Sequence, residues 1–321
     1  MIIDRRVLFA VASIFLASVD GSAATEFPQR AITLVVPFSP GGNVDSTARI
    51  AGLSLGTVLK QPIVVLNKPG AGGAIGASYV AKADPDGNTL LITVPDTLTI
   101  VPRMMTTSYK MDSFRPVGTV ATTTPLLVVR SDSRFKTIQD FLSAAEAKPG
   151  SILVAHDGPG SASQLALLQF AKAANRSFNL VPYQGSAPAL TDLLGGQVDA
   201  AVDQMTSSLS YLKGGQMRAL AVMSRDRDPL LPDVPTLEEA GVNLNVMTTL
   251  GIYAPAGVPD AIVDTLEQAL VKALGNGELQ NRMHSIGSNA LKSSAKNFRE
   301  QMLGEDKRAQ AMEAAGLLAT E

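Results

Sequence analysis

The chain has 321 residues, 45% of them hydrophobic and 17% charged, with a formal net charge of −2 and no cysteine. A near-neutral chain without basic clusters argues against nucleic acid and anionic membrane surfaces as partners. Without cysteine, the chain cannot form disulfides, thiolate metal sites, a cysteine nucleophile or a lipid-modified N-terminal cysteine.

The first 24 residues show the pattern of a secretory signal peptide. A basic start at Arg5 and Arg6 precedes an apolar run over residues 7–19, and Ser22-Ala23-Ala24 supplies the small residues of a cleavage site. The run is shorter than the roughly 20 residues that span a bilayer, so we expect cleavage after Ala24. A buried N-terminal helix is the alternative. We therefore expect a mature protein in the periplasm, without a lipid anchor.

The next part of the chain alternates short apolar strands with helices. The predicted elements are strands over Ile32–Val36, Ile63–Leu66 and Thr89–Val94, and helices over Asn43–Lys60 and from the glycine-rich stretch 69–73 to Ala83. This order indicates parallel βαβ units, whose ligands bind at the carboxyl ends of the strands.

A second segment of the same kind follows Val117–Arg130, a β-prone stretch without a helical period. Its predicted strands are Ile152–Ala155, Asn179–Pro182, Val198–Val202 and Arg218–Met223. Its predicted helices are Ile138–Ala147, Ala162–Ala174, Ala187–Leu194, Met205–Gly214 and the short Thr236–Ala240. A β-prone return, Thr248–Tyr253, precedes helices near Asp260–Leu274, Glu278–Ile286 and Ala295–Ala315.

Two such segments joined by two crossings predict an α/β protein with two lobes and a hinge of two strands. The chain length suits two domains of ordinary size. We predict that lobe 1 contains residues 25–122 and 250–321 and that lobe 2 contains residues 123–249.

Each lobe contains one elbow in which Pro, Gly and Ser separate a strand from a helix start. The first elbow is Pro37-Phe38-Ser39-Pro40-Gly41-Gly42, and the second is Gly158-Pro159-Gly160-Ser161. The free backbone N–H groups and the dipole of a helix start favour an anion. Neither elbow contains Lys or Arg. If the elbows face each other, they would hold a carboxylate through amides and hydroxyls.

Several polar side chains near the elbows each have two interpretations. Ser39 and Ser161 are candidate hydroxyl donors to a ligand, and helix capping is the alternative. Asp45 is a first-turn helix charge, or it contacts the ligand or the other lobe. Three residues that follow strand ends in the second lobe have either a ligand or a structural role: Tyr183, Ser186 and Asp203.

An enzyme would need a reacting group, and few are available. The chain has two histidines, His156 and His284, and no nucleophile-elbow, phosphate-loop or metal-ligand spacing. His156 either contacts a ligand or bonds to its own backbone. The stretch Gly70–Gly76 resembles a dinucleotide-binding fingerprint, but its glycine spacing is one residue longer. The alternative interpretation is that these glycines let the loop backbone approach the cleft or the opposite lobe. We predict no catalytic residue, cofactor or metal.

The sequence resembles the Bug (TctC-like) family, the periplasmic solute receptors of tripartite tricarboxylate transporters. The first-elbow signature is Pro37-Phe38-Ser39-Pro40-Gly41-Gly42-x-x-Asp45. The likeness continues in order through Asn67-Lys68-Pro69-Gly70-Ala71-Gly72-Gly73, Asp84-Pro85-Asp86-Gly87, Pro182-Tyr183-x-Gly185-Ser186-x-Pro188-Ala189-Leu190 and Leu231-Pro232-Asp233-Val234-Pro235-Thr236. It covers essentially the whole mature chain.

The resemblance implies a two-lobed periplasmic-binding-protein fold of the Venus-flytrap type II class. It implies an exported receptor that binds a dicarboxylate, tricarboxylate, acidic amino acid or aromatic acid between its lobes and delivers it to a membrane permease. A sensor that partners a signalling protein, and an exported enzyme on a similar fold, are the alternatives. We expect a monomer with no nucleic-acid partner.

The predicted ligand contacts combine the family's elbows with the side chains chosen above. They are Phe38, Ser39, Pro40, Gly41, Gly42, Asn43, Asp45, Gly158, Gly160, Ser161, Ala162, Gln164, Tyr183, Ser186 and Asp203. Two of them depart from the family's pattern: Asn43 stands where a third Gly is usual, and Gln164 where a His is common. The ligand class is therefore left open.

Overall fold

The structure is a computed structural model that describes residues 27–316 and residue 318. The predicted signal peptide and its cleavage site lie outside the described residues. Within that range the strands are β1 Ile32–Val36, β2 Ile63–Asn67, β3 Thr89–Thr93, β4 Phe114–Thr123, β5 Pro125–Arg130, β6 Leu153–His156, β7 Asn179–Pro182, β8 Ala200–Gln204, β9 Met217–Val222, β10 Thr248–Pro255 and β11 Ser288–Ala290. The α-helices are α1 Asn43–Leu59, α2 Ala74–Ala81, α3 Asp96–Thr99, α4 Val101–Met104, α5 Ile138–Ala147, α6 Ala162–Ala174, α7 Ser186–Leu194, α8 Met205–Lys213, α9 Asp260–Leu274, α10 Gly277–Ser285 and α11 Ala295–Ala314. In the part of the chain that the structure describes, no helix combines the length and the apolar character needed to cross a membrane.

The strands form two separate sheets. Within residues 27–316, one sheet has the order β11-β4-β10-β3-β1-β2 and the other has the order β7-β6-β8-β5-β9. Strand β1 pairs in parallel with β2 and β3, and β6 pairs in parallel with β7 and β8. Strands β10 and β5 run antiparallel to their neighbours. The parallel βαβ units predicted from the sequence therefore form one side of each sheet, with β2 and β7 as edge strands.

Helices cover both faces of each sheet, so each lobe has its own core. In the first sheet, Ile32, Leu34 and Val36 face α1 and α9, while Val35 faces α2 and α11. In the second sheet, α5 and α6 pack on one face, and α7 and α8 pack on the other. A strand that is buried on both faces has a sequence of nearly continuous apolar residues. That is why Ile32-Thr33-Leu34-Val35-Val36 could be predicted as a buried strand.

The chain crosses between the sheets at two places. Strand β4 ends at Thr123 in the first sheet, and β5 begins at Pro125 in the second. On the return, Val246 donates its backbone N–H to the carbonyl of Met223 at 2.7 Å, and β10 then begins at Thr248 in the first sheet. The division into lobes at residues 122/123 and 249/250 stays a prediction, one that falls beside both crossings.

Some short elements differ from the sequence prediction. The short helix predicted over Thr236–Ala240 is wrong: these residues form a turn, because Thr236 pairs with Val222 as a bridge while its Oγ1 accepts the N–H of Glu239 at 3.0 Å. The prediction also omitted α3, α4 and β11. Each has three or four residues, too few to show a period.

Candidate functional site

A small cavity of about 20 Å³ lies between the lobes. It sits beyond the carboxyl ends of β1, β6, β7 and β8, where α1, α6, α7 and α8 begin. This is where open parallel sheets bind ligands. The lining residues come from both lobes: Phe38, Gly42, Asn43, Val44, Val94, Asp157, Ser161, Ala162, Ser186, Gln204 and Thr248.

The helix starts around this cavity favour an anion. The first residues of α1, α7 and α8 have no side-chain cap, and only α6 is capped, by Ser161. An uncapped start leaves backbone N–H groups free for an acceptor and carries about half a positive elementary charge. Among the described residues that line the cavity, none is Lys or Arg. An anion here would be held by amides, hydroxyls and helix dipoles.

Asp45 fixes the first elbow. Its carboxylate is 3% exposed and accepts from the Gly41 N–H at 3.0 Å, from the Asn67 amide at 2.9 Å, and from Arg49 through two bonds of 2.9 Å. Burial opposes its ionisation, but the bonds from Arg49, Gly41 and Asn67 outweigh burial and lower the pKa of Asp45. Because both oxygens have protein partners, Asp45 supports the elbow in this structure, and its predicted contact with a ligand stays a prediction.

Ser39 links the two lobes directly. Its backbone N–H and its Oγ both donate to the carbonyl oxygen of Gln184, at 3.1 and 2.8 Å. The predicted hydroxyl donor of the first elbow therefore bonds to the opposite lobe in this closed arrangement. Pro40 and Gly41 beside it are exposed. Within the first elbow, the cavity is lined by Phe38 and Gly42.

Gln164 fixes the second elbow. Its Oε1 accepts the Gly160 N–H at 2.6 Å, and its own N–H donates to Ser161 Oγ at 3.2 Å. Ser161 thus caps α6, the alternative interpretation of this residue, while it also lines the cavity. The Gly160 amide, predicted to face a ligand, has a partner within its own lobe here.

Tyr183 and the glycine-rich loop lie outside the cavity lining. The Tyr183 hydroxyl donates to Asp192 Oδ2 at 2.8 Å, within its own lobe. Gly72, at φ +60°, lies so close to the second elbow that an added Cβ would stand 1.8 Å from the carbonyl oxygen of Pro159. Of the two interpretations of the glycine-rich stretch, the structure supports close approach to the opposite lobe.

His156 is a buried histidine at the end of β6. Its side chain is 2% exposed, and the Gly158 N–H donates to its Nδ1 at 3.2 Å, so the alternative of a bond to its own backbone is observed. Burial lowers the pKa of His156 from 6.5 to about 4. The imidazole is therefore neutral at neutral pH.

We expect His156→Gln to make the protein more tolerant of acid. A histidine buried in its neutral form contributes stability that is present above pH 6.5 and lost as the pH falls toward about 4. The shift is worth roughly 3 kcal/mol across that interval. Urea unfolding at about pH 7 and pH 4.5 should show that the variant loses less stability than the parent. His284→Gln, at an exposed position, is the matched control; equal acid losses in both variants would contradict the assignment.

Two neighbouring carboxyls lie behind the second elbow, the buried Asp203 and the half-buried Asp157. Asp203 Oδ2 accepts from Ser207 Oγ at 2.7 Å and Ser208 Oγ at 2.5 Å, whereas Asp157 Oδ2 has one long contact, 3.4 Å from Ser186 Oγ. Burial raises the pKa of both carboxyls, and the charge of Asp203 raises that of Asp157 further. Asp203 is 1% exposed, and of the pair only Asp157 lines the cavity.

Sequence reasoning missed Asp157 and Gln204 as candidate site residues. Asp157 Oδ1, both polar atoms of the Gln204 amide and Asn43 Oδ1 are buried without a hydrogen-bond partner among the described residues. Such atoms cost about 1–3 kcal/mol each unless a ligand or water bonds to them. Both missed residues directly follow or end a parallel strand, a positional signal that was used for Asp203 and not for them.

In residues 27–316 and 318, no group of three or more His, Cys, Asp or Glu side chains is placed to hold a metal ion.

Comparison with known proteins gives consistent matches. The family model described as "Tripartite tricarboxylate transporter family receptor" matches residues 47–316. A protein encoded in the tcbD-tcbE intergenic region of Pseudomonas sp. (strain P51) is 39% identical over 289 residues, which cover 88% of this chain and 85% of that protein. The structure of the periplasmic binding protein BugD, 32% identical, matches with a TM-score of 0.86 over 92% of this chain and 100% of BugD. MatC from Rhodopseudomonas palustris, solved with bound malate, is 32% identical and matches with a TM-score of 0.84 over 89% of this chain and 100% of MatC.

Proposed function

The chain belongs to the tripartite tricarboxylate transporter receptor family, and from that premise we propose that it is a periplasmic receptor that delivers a small carboxylate to a membrane permease. The membership and the likeness to BugD confirm the family resemblance and the two-lobed periplasmic-binding-protein fold expected from the sequence. The family and its structural neighbours are solute-binding receptors, so the proposal includes no catalytic step.

The observation that carries the proposal is the convergence of helix starts from both lobes on one cavity. Lobe 1 contributes the uncapped start of α1 at Gly42 and Asn43, and lobe 2 contributes the uncapped starts of α7 and α8. These amides suit the oxygens of a carboxylate. The bound malate of MatC supports a carboxylate as the ligand of a protein with this fold.

Closure of the lobes would couple binding to delivery. The cavity of about 20 Å³ has room for about one water. A carboxylate would therefore enter while the lobes stand apart and would hold them slightly wider than they are here. Only the closed state offers amides from both lobes to one ligand, so binding would stabilise closure, which a permease could recognise.

The ligand contacts that we propose are the predicted residues that line the cavity. These are Phe38, Gly42, Asn43, Ser161, Ala162 and Ser186. Three of the other predicted residues would shape the site and are not among the proposed ligand contacts. Asp45 and Gln164 hold the elbows, and Ser39 joins the lobes.

A thermal-shift panel tests the proposal on the chain that begins at residue 25. The panel contains succinate, malate, adipate, citrate, glutamate and benzoate, with dimethyl succinate as an uncharged control for succinate. A carboxylate at about 100 times its Kd should add about 2.7 kcal/mol of stability and raise Tm by roughly 3 °C or more. The rise should depend on concentration, and the ester should give none. A panel without any such rise, or an ester as effective as its acid, would contradict carboxylate binding.

A further inference from the structure

We propose that Asp157 carries a proton in the closed cleft and donates it in a hydrogen bond to the ligand, so that the receptor takes up its carboxylate together with one proton. The inference rests on the proposed function and adds to it a specificity-determining residue and a ligand class. That class is a carboxylate with no cationic group next to the second elbow.

The geometry places one oxygen of Asp157 at the cavity without a protein partner. Asp157 lines the cavity, its Oδ1 is buried without a hydrogen-bond partner among the described residues, and its Oδ2 has only the 3.4 Å contact with Ser186. Its backbone N–H donates to Ser163 Oγ at 2.9 Å, which fixes the residue at the start of the elbow. The free oxygen is therefore available to a ligand.

The neighbouring carboxyl determines where the proton resides. Asp203 Oδ2 accepts two short hydroxyl bonds from Ser207 and Ser208, and Asp203 lies at the start of α8. Its Oδ1, like that of Asp157, has no hydrogen-bond partner among the described residues, so the two bonds to Oδ2 and the helix start are what favour its ionised form. Two adjacent carboxyls that are largely removed from water cannot both be ionised without a large cost, so the pair retains one proton. Asp157, with a single long contact, is the member that keeps it.

Among the residues that the structure describes, Asp203 is the one charged group that acts on Asp157. On β6, the neighbouring His156 is buried and neutral. From α6 and α7, Asp157 meets the hydroxyls of Ser163 and Ser186. Asn43 lines the cavity from lobe 1, and among the described lining residues Asp157 itself is the one with a titratable side chain.

The protonated carboxyl defines which ligand groups fit. An ionised Asp157 would repel a carboxylate in this water-poor cavity, whereas a protonated one donates a short O–H···O⁻ bond to it. An ammonium group on the ligand would instead face the O–H donor of the protonated Asp157. The start of α1 across the cavity would bind the other oxygens of the same ligand.

Calorimetric titration with succinate, malate, adipate and aspartate between about pH 7 and 9 tests the inference. In this range the carboxyls of these probes are ionised, so their own titration does not contribute. For the parent protein we expect succinate, malate or adipate to bind more weakly as the pH rises, approaching tenfold per pH unit. Titrations in two buffers of different ionisation enthalpy should show proton uptake on binding. Asp157→Asn, whose amide donates at every pH, should give a flat profile without proton uptake, and Asp157→Ala should bind more weakly at the acidic end.

The control is Asp132→Asn, a carboxyl-to-amide change at an exposed site, which should keep the parent's pH profile. Equal affinities and equal pH profiles for the parent and Asp157→Ala would overturn the inference and leave the proposed function standing. Aspartate that binds more tightly than succinate and gains affinity as the pH rises would also overturn it, because Asp157 would then act as an anion. Failure of every probe with every variant would remove the proposed function and this inference with it.

Discussion

Gly72→Ala is expected to weaken carboxylate binding by about 100-fold or more, equivalent to about 2.7 kcal/mol, while the protein still folds. Gly72 belongs to lobe 1, and its added Cβ would stand 1.8 Å from the carbonyl oxygen of Pro159 in lobe 2. Backbone atoms cannot yield by that amount, so the loops must separate. The cavity needs both lobes, and a receptor that cannot close offers a ligand only half of its amides.

Gly215→Ala is the matched control for this change. Gly215 has φ +66°, close to the +60° of Gly72, and an added Cβ there meets nothing within 4 Å. Both alanines carry a similar left-handed backbone strain of about 1 kcal/mol. The two variants therefore differ in the contact between the lobes. Calorimetric affinity, together with the radius of gyration in the presence of saturating probe, measures the difference. A Gly72→Ala protein that binds and compacts like Gly215→Ala would show that closure does not require this approach.

The main elements of the fold could be predicted because their signals are local. Helices α5, α6 and α9 have the bounds predicted from the sequence. Thr137 and Ser161 cap α5 and α6, and Pro259 precedes α9. Such end signals depend on a few neighbouring residues, so the sequence displays them directly.

The partners of the elbow side chains could not be predicted in the same way. A serine in an elbow is equally compatible with a ligand, a cap or a contact with the other lobe. The bond from Ser39 to Gln184, 145 positions away, depends on how far the lobes close. Asp157 was overlooked for a related reason: its free oxygen is visible only once Asp203 and Ser186 have taken their places. The ion pair between Asp45 and Arg49 is the one partner that the sequence could have predicted, because Arg49 stands four residues after Asp45 on the same helix face.

Asp45→Ala is expected to lower the free energy of unfolding by about 3 kcal/mol and to weaken carboxylate binding as well. The change leaves the Gly41 N–H and the Asn67 amide without their acceptor and removes the partner of Arg49. The Arg49 side chain is 52% exposed and can return to water, so we place the loss at the low end for a broken buried pair. The elbow then loses the bonds that aim the start of α1 at the cavity.

The pH dependence separates this role from a general loss of packing. Because the pKa of Asp45 is lowered from 3.8, its contribution is fully present above that value and disappears as the pH falls through the lowered pKa. The stability gap between parent and variant should therefore be widest near neutral pH and should narrow below about pH 4. Asp86→Ala is the control, because Asp86 also accepts from an arginine and a backbone N–H but is 40% exposed, and we expect it to cost less than about 1 kcal/mol. Urea unfolding measures both variants. The prediction is contradicted if both variants lose the same free energy of unfolding, or if Asp45→Ala keeps the parent's affinity for the carboxylate. Either result would mean that the elbow keeps its shape without Asp45. The strand and helix alone would then position the amides at the start of α1.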